Sequence, residues 1–240
     1  MGRTTLLLLA LACLAAACGT TQTADGRSQP TLEPAQLAKT DIDRVAEAHR
    51  REVFASLRLL AEKLYKRNPR EWKKAGHASI DAALAKLFDP ATAWRLPQLV
   101  GKSGSEAVLL AFGADYPGDR VGAYIAGLGA MLHVAFNAKT EFFVVDDLDP
   151  QRLHNAARNL EIAAWKLANS RDASGSLLLL SNEIGPVANL SFEREFGKMI
   201  GSLDVLSKII ADKTNRTVVK VIQSLATAVF LPLPSLPGFK

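Results

Sequence analysis

Hydrophobic positions recur at helical spacing along most of the chain. After the polar pair Thr40-Asp41, residues Ile42, Val45, His49, Val53, Leu57, Leu60 and Leu64 fall three or four apart, on one face of a long amphipathic helix. Thr40 and Asp43 have the spacing of a capping box at its start, and Asn68-Pro69 ends it, with Pro69 placed to open the short segment Arg70 to Ala75. Glu47 with Arg51, and Glu62 with Lys66, stand four apart and predict ion pairs on the outer face. Ser79 is the expected cap of a helix running to Phe88, Ser105 the start of one containing Val108, Leu109 and Phe112, and Asp149-Pro150 the cap and first turn of a helix over Gln151 to Asn169. Two more helices are expected to close the chain. Phe192, Phe196, Met199, Leu203, Leu206 and Ile210 repeat helically after Ser191, and Val218, Val221, Ile222, Leu225 and Val229 do so before a Pro-rich end. Two short apolar runs, Glu141 to Val145 and Leu177 to Leu180, fit strands as well as helices and leave room for one small β-hairpin. The fold class is therefore mainly α, a multi-helix bundle.

Two segments are apolar without a polar face. Arg120 to Ala138, RVGAYIAGLGAMLHVAFNA, carries Gly122, Gly127 and Gly129. Its uninterrupted apolar part, Val121 to Phe136, is about sixteen residues and holds His133, whereas a membrane span takes about 20. A central helix buried on most sides, with glycines at tight contacts, is the expectation. Leu6 to Cys18 is shorter still, thirteen residues of Leu, Ala and Cys behind the basic Arg3, and is followed by small and polar residues. That is the n-region, h-region and cleavage layout of a secretory signal.

The cleavage region, Leu14-Ala15-Ala16-Ala17-Cys18-Gly19, resembles the lipobox of bacterial lipoproteins, although Ala15 stands where Leu is commonest. The resemblance implies cleavage after residue 17, a diacylglycerol on the Cys18 thiol and acylation of the new N-terminus. Cys13 is a rival, but its use would shorten the apolar run to about seven residues, the lower edge for an h-region. Cys18 is followed by Gly19 and Thr20 rather than the Asp that in this family favours inner-membrane retention. The resemblance therefore implies a lipid anchor in an outer membrane, with the protein body on the periplasmic face. One acyl chain binds marginally and several bind firmly. Residues 18–39, rich in Thr, Gln, Ser, Ala and Pro, are expected to act as a flexible tether reaching roughly 25 Å root-mean-square, and residues 40–240 to form one helical domain.

Composition adds little to this. The chain is 48% hydrophobic and 22% charged, in the globular range. Both cysteines lie in the leader region, so the body must fold without disulfides. The formal net charge is +5, and Arg3 is the only charged residue of the first seventeen, so cleavage would leave +4. No cofactor is implied.

Catalytic motifs fail on inspection. Gly101-Lys102-Ser103 has Leu96 where a P-loop needs its first glycine, and Gly101-Lys102-Ser103-Gly104-Ser105 ends in Ser where a nucleophile elbow needs Gly. Asp146-Asp147-Leu148-Asp149 lacks the glycine and glutamate of a calcium loop. Ser105-Glu106 reverses the Glu-Ser order of lytic transglycosylases, whose other motifs are missing. The remaining acid-base or metal candidates are His133, Asp146, Asp147 and His154, which flank the turn between the apolar helix and the next one. A basic stretch with aromatics, Lys63, Tyr65, Lys66, Arg67, Arg70, Trp72, Lys73 and Lys74, is a candidate for contact with anions. Behind a lipoprotein leader its expected partners are anionic lipid or another envelope protein, with no nucleic acid. The same stretch also reads as a solvated helix end with Tyr65 and Trp72 packed inward.

Three readings follow. A noncatalytic lipoprotein that docks a partner or supports an envelope assembly predicts an exposed apolar or basic patch and no deep polar cavity. A carrier of a lipid or other apolar ligand predicts a closed apolar pocket among the Gly-rich helix and the two C-terminal helices. A hydrolase acting on peptidoglycan or lipid predicts a cleft with converging carboxylates or a Ser-His pair. The sequence favours the first.

Overall fold

A computed structural model describes residues 39–219 and 228–233. The expected leader, Cys18, almost all of the tether and most of the expected last helix lie outside the described residues. Seven α-helices are described: α1 Asp41–Arg67, α2 Pro69–Lys74, α3 Ile80–Leu87, α4 Gly104–Ala111, α5 Arg120–Ala135, α6 Pro150–Asn169 and α7 Ser191–Thr214. Single 3₁₀ turns occur at Pro90–Thr92 and Pro97–Leu99. The protein is a mainly α, multi-helix bundle. No described helix is long and apolar enough to cross a membrane.

The four long helices form a ring in which α1 packs against α5 and α7, and α6 packs against the same two. Helix α1 starts at the expected capping box: the Thr40 hydroxyl accepts from the Asp43 amide at 3.3 Å, and the Asp43 carboxylate accepts from the Thr40 amide at 2.8 Å. Its buried stripe runs through Val53, Leu57, Leu60, Ala61 and Leu64. Each fully buried leucine on it contributes about 1.5–3 kcal/mol. Two expectations on α1 are corrected. Val45 faces outward, 36% exposed, because the stripe drifts and Ala46 takes the inner position. Glu47 does not pair with Arg51; it binds the Lys39 ammonium at 2.7 Å and accepts from the Phe142 amide at 2.9 Å, which ties the chain after α5 back to α1. Glu62 and Lys66 do pair, at 2.5 Å.

Helix α5 is buried along almost its whole length, as its lack of a polar face requires, because α1, α2, α3, α4 and α6 all pack on it. Its glycines mark close approaches. A Cβ on Gly127 would lie 2.6 Å from the Gly104 carbonyl oxygen, and one on Gly129 would lie 2.2 Å from the Trp94 ring. Trp94 fills the space against α5 by stacking on Phe54 of α1 at 5.8 Å and meeting Phe88 edge-on at 5.2 Å.

Helix α6 opens as its sequence predicts, with Asp149 accepting from the Gln151 amide and Pro150 in the first turn. The expected core positions of α7, from Phe192 to Ile210, are all buried. Helix α4 begins at Gly104 with Ser103 as its cap residue, one position earlier than expected. No strand forms among the described residues. Between α6 and α7 there are two isolated antiparallel bridges, Arg171 with Leu177 and Glu183 with Asn189, while the 141–145 run is turn and coil. The closing helix expected over 218–229 is not continued by its described ends, since 216–219 and 228–229 are non-helical.

The segment 228–233 returns to the bundle along α6, held by side-chain amides. Asn159 donates to the Leu231 carbonyl at 2.9 Å and accepts from its amide at 2.7 Å, and Asn155 donates to the Pro232 carbonyl at 3.0 Å. One turn earlier, Gln151 takes both backbone groups of Val219, at 3.1 and 2.8 Å. Three amide side chains at four-residue spacing thus satisfy backbone groups that a strand partner would otherwise satisfy.

Candidate functional site

A cavity of about 580 Å³ lies between the start of α4, the last turns of α5 and the segment 228–233. Its apolar lining includes Met131 and Val134 of α5 with Phe230, Leu231 and Leu233 of the returning segment. Its polar lining includes Arg95, Ser103, Ser105 and Glu106 before and at the start of α4, His133 from α5 and Asn159 from α6. The Ser103 side chain makes no capping bond, and the Glu106 amide donates to the Ser103 carbonyl at 3.1 Å. Volume and lining both fall within the range of small-molecule sites.

His133 is half-buried, and burial, reinforced by the Arg50 cation, holds its pKa below the ordinary imidazole value. It is neutral at pH 7 and can donate or accept there. Among the described residues no hydrogen bond or ion pair joins His133 to Ser103, Ser105 or Glu106.

The other sequence candidates have structural partners of their own. Asp146 pairs with Lys139 and accepts from the Phe143 amide at 3.0 Å. Asp147 pairs with Arg216 at 2.8 Å, and its carbonyl accepts from Asn137. The His154 Nδ1 stands 3.9 Å from Asp204, which also holds Arg158 at 2.7 Å. His133 alone of the four lines the cavity. Among the described residues no group of three or more His, Cys, Asp or Glu side chains could hold a metal ion.

The basic stretch is largely neutralised. Lys63 binds the buried Glu195 at 2.9 Å, Lys66 binds Glu62, Arg67 binds Glu183 and Lys74 binds Glu71 at 2.7 Å. Lys73 lies over the Trp72 ring, 5.3 Å from its centre. Arg70 is exposed and forms no ion pair with a described residue. Trp72 packs partly buried on the core and Tyr65 is buried, so the aromatics face inward.

Tyr65 belongs to a buried polar cluster that spacing along the sequence did not reveal. Its hydroxyl donates to Asp119 at 2.7 Å, and Asp119 caps α5 by accepting from the Gly122 amide at 2.8 Å. Glu71 accepts from the Arg120 amide at 2.7 Å, while the Arg120 guanidinium donates to the Ala111 and Gly113 carbonyls at 2.6 and 2.8 Å. Burial raises the Asp119 pKa despite the bonds from Gly122 and Tyr65, and pushes Tyr116 up to about 12. The hydrogen-bonded members join α1, α2 and α4 to the start of α5, while the buried Tyr116 hydroxyl has no hydrogen-bond partner among the described residues.

Gly101 to Ser105 fits neither a P-loop nor a nucleophile elbow; its residues serve as a left-handed turn at Gly101, the N-cap position of α4 at Ser103 and cavity lining. The repeat Gln151, Asn155, Asn159 was the available sign that α6 holds an extended segment. Comparison of the chain with protein-family models, with curated proteins and with solved structures finds no match.

Proposed function

We propose that this protein is a noncatalytic, outer-membrane-anchored lipoprotein whose helical body carries a small amphipathic ligand in the cavity beside α5. The cavity is the observation that supports this reading. Partner docking, which the sequence favours, predicts an exposed apolar or basic patch and no deep polar cavity, whereas a carrier predicts an apolar pocket, and a space of about 580 Å³ with Met131, Val134, Phe230 and Leu233 in its lining supports the carrier. In this reading the ligand's apolar part lies along Met131, Val134, Phe230 and Leu233. Its polar end meets the Arg95 cation and the hydroxyls of Ser103 and Ser105, which favour an acceptor or an anion. The anchor on Cys18 would keep the carrier at the membrane that supplies or receives its cargo.

The test is extraction and mass spectrometry of molecules that copurify with the full chain, alongside Val134→Trp, which fills the cavity. The expected result is a stoichiometric lipid-like molecule with wild type that Val134→Trp loses while its circular dichroism is unchanged. Absence of any such molecule, together with failure of the purified chain to bind fatty-acid and lysophospholipid probes, would overturn the reading.

Hydrolysis is the second reading, because Ser103, Ser105, Glu106 and His133 line the same cavity. It predicts cleaved rather than intact probe, and a larger loss of turnover than of binding in Glu106→Gln.

A further inference from the structure

The loop between α6 and α7 is held rigidly against the far end of α1 and raises bare aliphatic side chains into water. Asn68, the residue that ends α1, donates to the Leu180 carbonyl at 2.9 Å and accepts from its amide at 2.8 Å. Glu183 and Asn189 exchange both backbone hydrogen bonds, at 3.1 and 2.8 Å, and close a tip over Ile184-Gly185-Pro186-Val187-Ala188. Arg67 grips the Glu183 carboxylate, and the Asn182 side chain donates to Glu193 at 2.9 Å. The loop is thus fixed to α1 on one side and to α7 on the other. At its tip Ile184 is 90% exposed and Val187 85%, with Leu180 and Leu190 about half exposed at its base. Scattered exposed aliphatics are ordinary, but four within eleven residues of one fastened loop form a patch.

Cations are in excess around the patch. Glu62, Glu71, Glu183 and Glu195 are each paired with a cation, Lys66, Lys74, Arg67 and Lys63 respectively. In this loop, α2 and the first turn of α7, Arg70, Lys73, Arg171 and Arg194 are exposed and form no ion pair with a described residue, against the carboxylates Asp172 and Glu193. An aliphatic tip inside a positive surround is complementary to an anionic bilayer, where the side chains enter the acyl boundary and the cations meet phosphate. A protein partner would need a broad shape-matched surface, usually with aromatic anchors, and this narrow tip of Ile, Pro and Val offers neither.

We propose that the loop tip at Ile184 and Val187, with Arg70, Lys73 and Arg194 around it, is a docking surface for an anionic lipid bilayer. This goes beyond the carrier reading and does not depend on it, because the contact is local to the opposite end of α1 from Thr40.

Hydrogen exchange of the full chain tests the proposal, in buffer, on phosphatidylethanolamine–phosphatidylglycerol vesicles and on phosphatidylcholine vesicles. No amide from 184 to 188 donates a hydrogen bond within the described residues, so the tip should exchange fast in buffer. The expected result is several-fold slowing at 184–188 at the shortest labelling times on the anionic vesicles, and a smaller effect on phosphatidylcholine. Ile184→Asp/Val187→Asp should restore the buffer rate. Both positions are solvent-facing, so its melting curve should match wild type. Arg70→Glu should narrow the difference between the two vesicle types. Equal exchange at the tip with and without vesicles would overturn the proposal. So would slowing that persists in the double Asp variant, or slowing that needs an added envelope protein instead of lipid. None of these outcomes alters the cavity test, which is read at α5.

Discussion

Single atoms at glycines decide how closely α5 can be surrounded. Gly127→Ala would place its Cβ 2.6 Å from a backbone oxygen at Gly104 and 2.8 Å from the Val108 nitrogen, neither of which can rotate away. Gly129→Ala would press on the Trp94 ring, which is wedged between Phe54 and Phe88. Overpacking of this kind costs about 1–3 kcal/mol, with Gly127→Ala at or above the upper end, and thermal melts of the two variants would measure it. Asp119 supplies a prediction in pH. Burial raises its folded pKa above its value in the unfolded chain, so it subtracts stability progressively as pH climbs from the unfolded carboxylate range through the folded pKa. Asp119→Asn keeps an acceptor for the Gly122 amide and offers Tyr65 a donor. At pH 7 it should melt no lower than wild type, with a flatter dependence on pH, whereas Asp119→Ala loses the cap and about 1 kcal/mol. The glycines were legible because a close-packed apolar helix demands them. Asp119 was not, because its partner Tyr65 lies 54 residues earlier and no local pattern links them.

At the scale of elements, periodicity carried most of the information. The inner face of α7 and the caps of α1 and α6 follow from residue spacing alone. Val45 and Glu47 did not, since a 27-residue helix drifts relative to its neighbours and the docking of the 139–149 turn turns Glu47 inward. Helix α6 carries two kinds of information on two faces. Leu153, Ala156, Ala157 and Leu160 face the core, while Gln151, Asn155 and Asn159 hold the returning segment. Those bonds are few, Phe230 and Leu233 pack only partly buried on the core, and the segment has no helix of its own among the described residues. Asn155→Ala/Asn159→Ala should therefore free residues 228–233 with little loss of bundle stability. Limited proteolysis would report faster cleavage there at an unchanged melting temperature, and a melting temperature that fell with it would show the segment to be integral to the core.

For the whole molecule, a mainly α bundle with α5 buried at its centre was foreseeable from the amphipathic and all-apolar stretches, but the ring of four helices was not. The place of the cavity was not either, because its wall joins residues near position 100, the last turns of α5 and positions 230–233, which only tertiary packing brings together. Helix α1 is about 40 Å long by its residue count, so Thr40 and the Ile184 tip stand at opposite ends of the body. With an anchor before Thr40 and a lipid-seeking tip beyond Arg67, the body would rest with α1 along the bilayer rather than upright on it.

Residues 228–233 supply one side of the cavity, and every helix that supplies the rest lies upstream of them. In synthesis, which runs from the N-terminus, the bundle can assemble around α5 while this side still gapes. A chain cut short before Ala228 would keep the described helices yet form only an open trough.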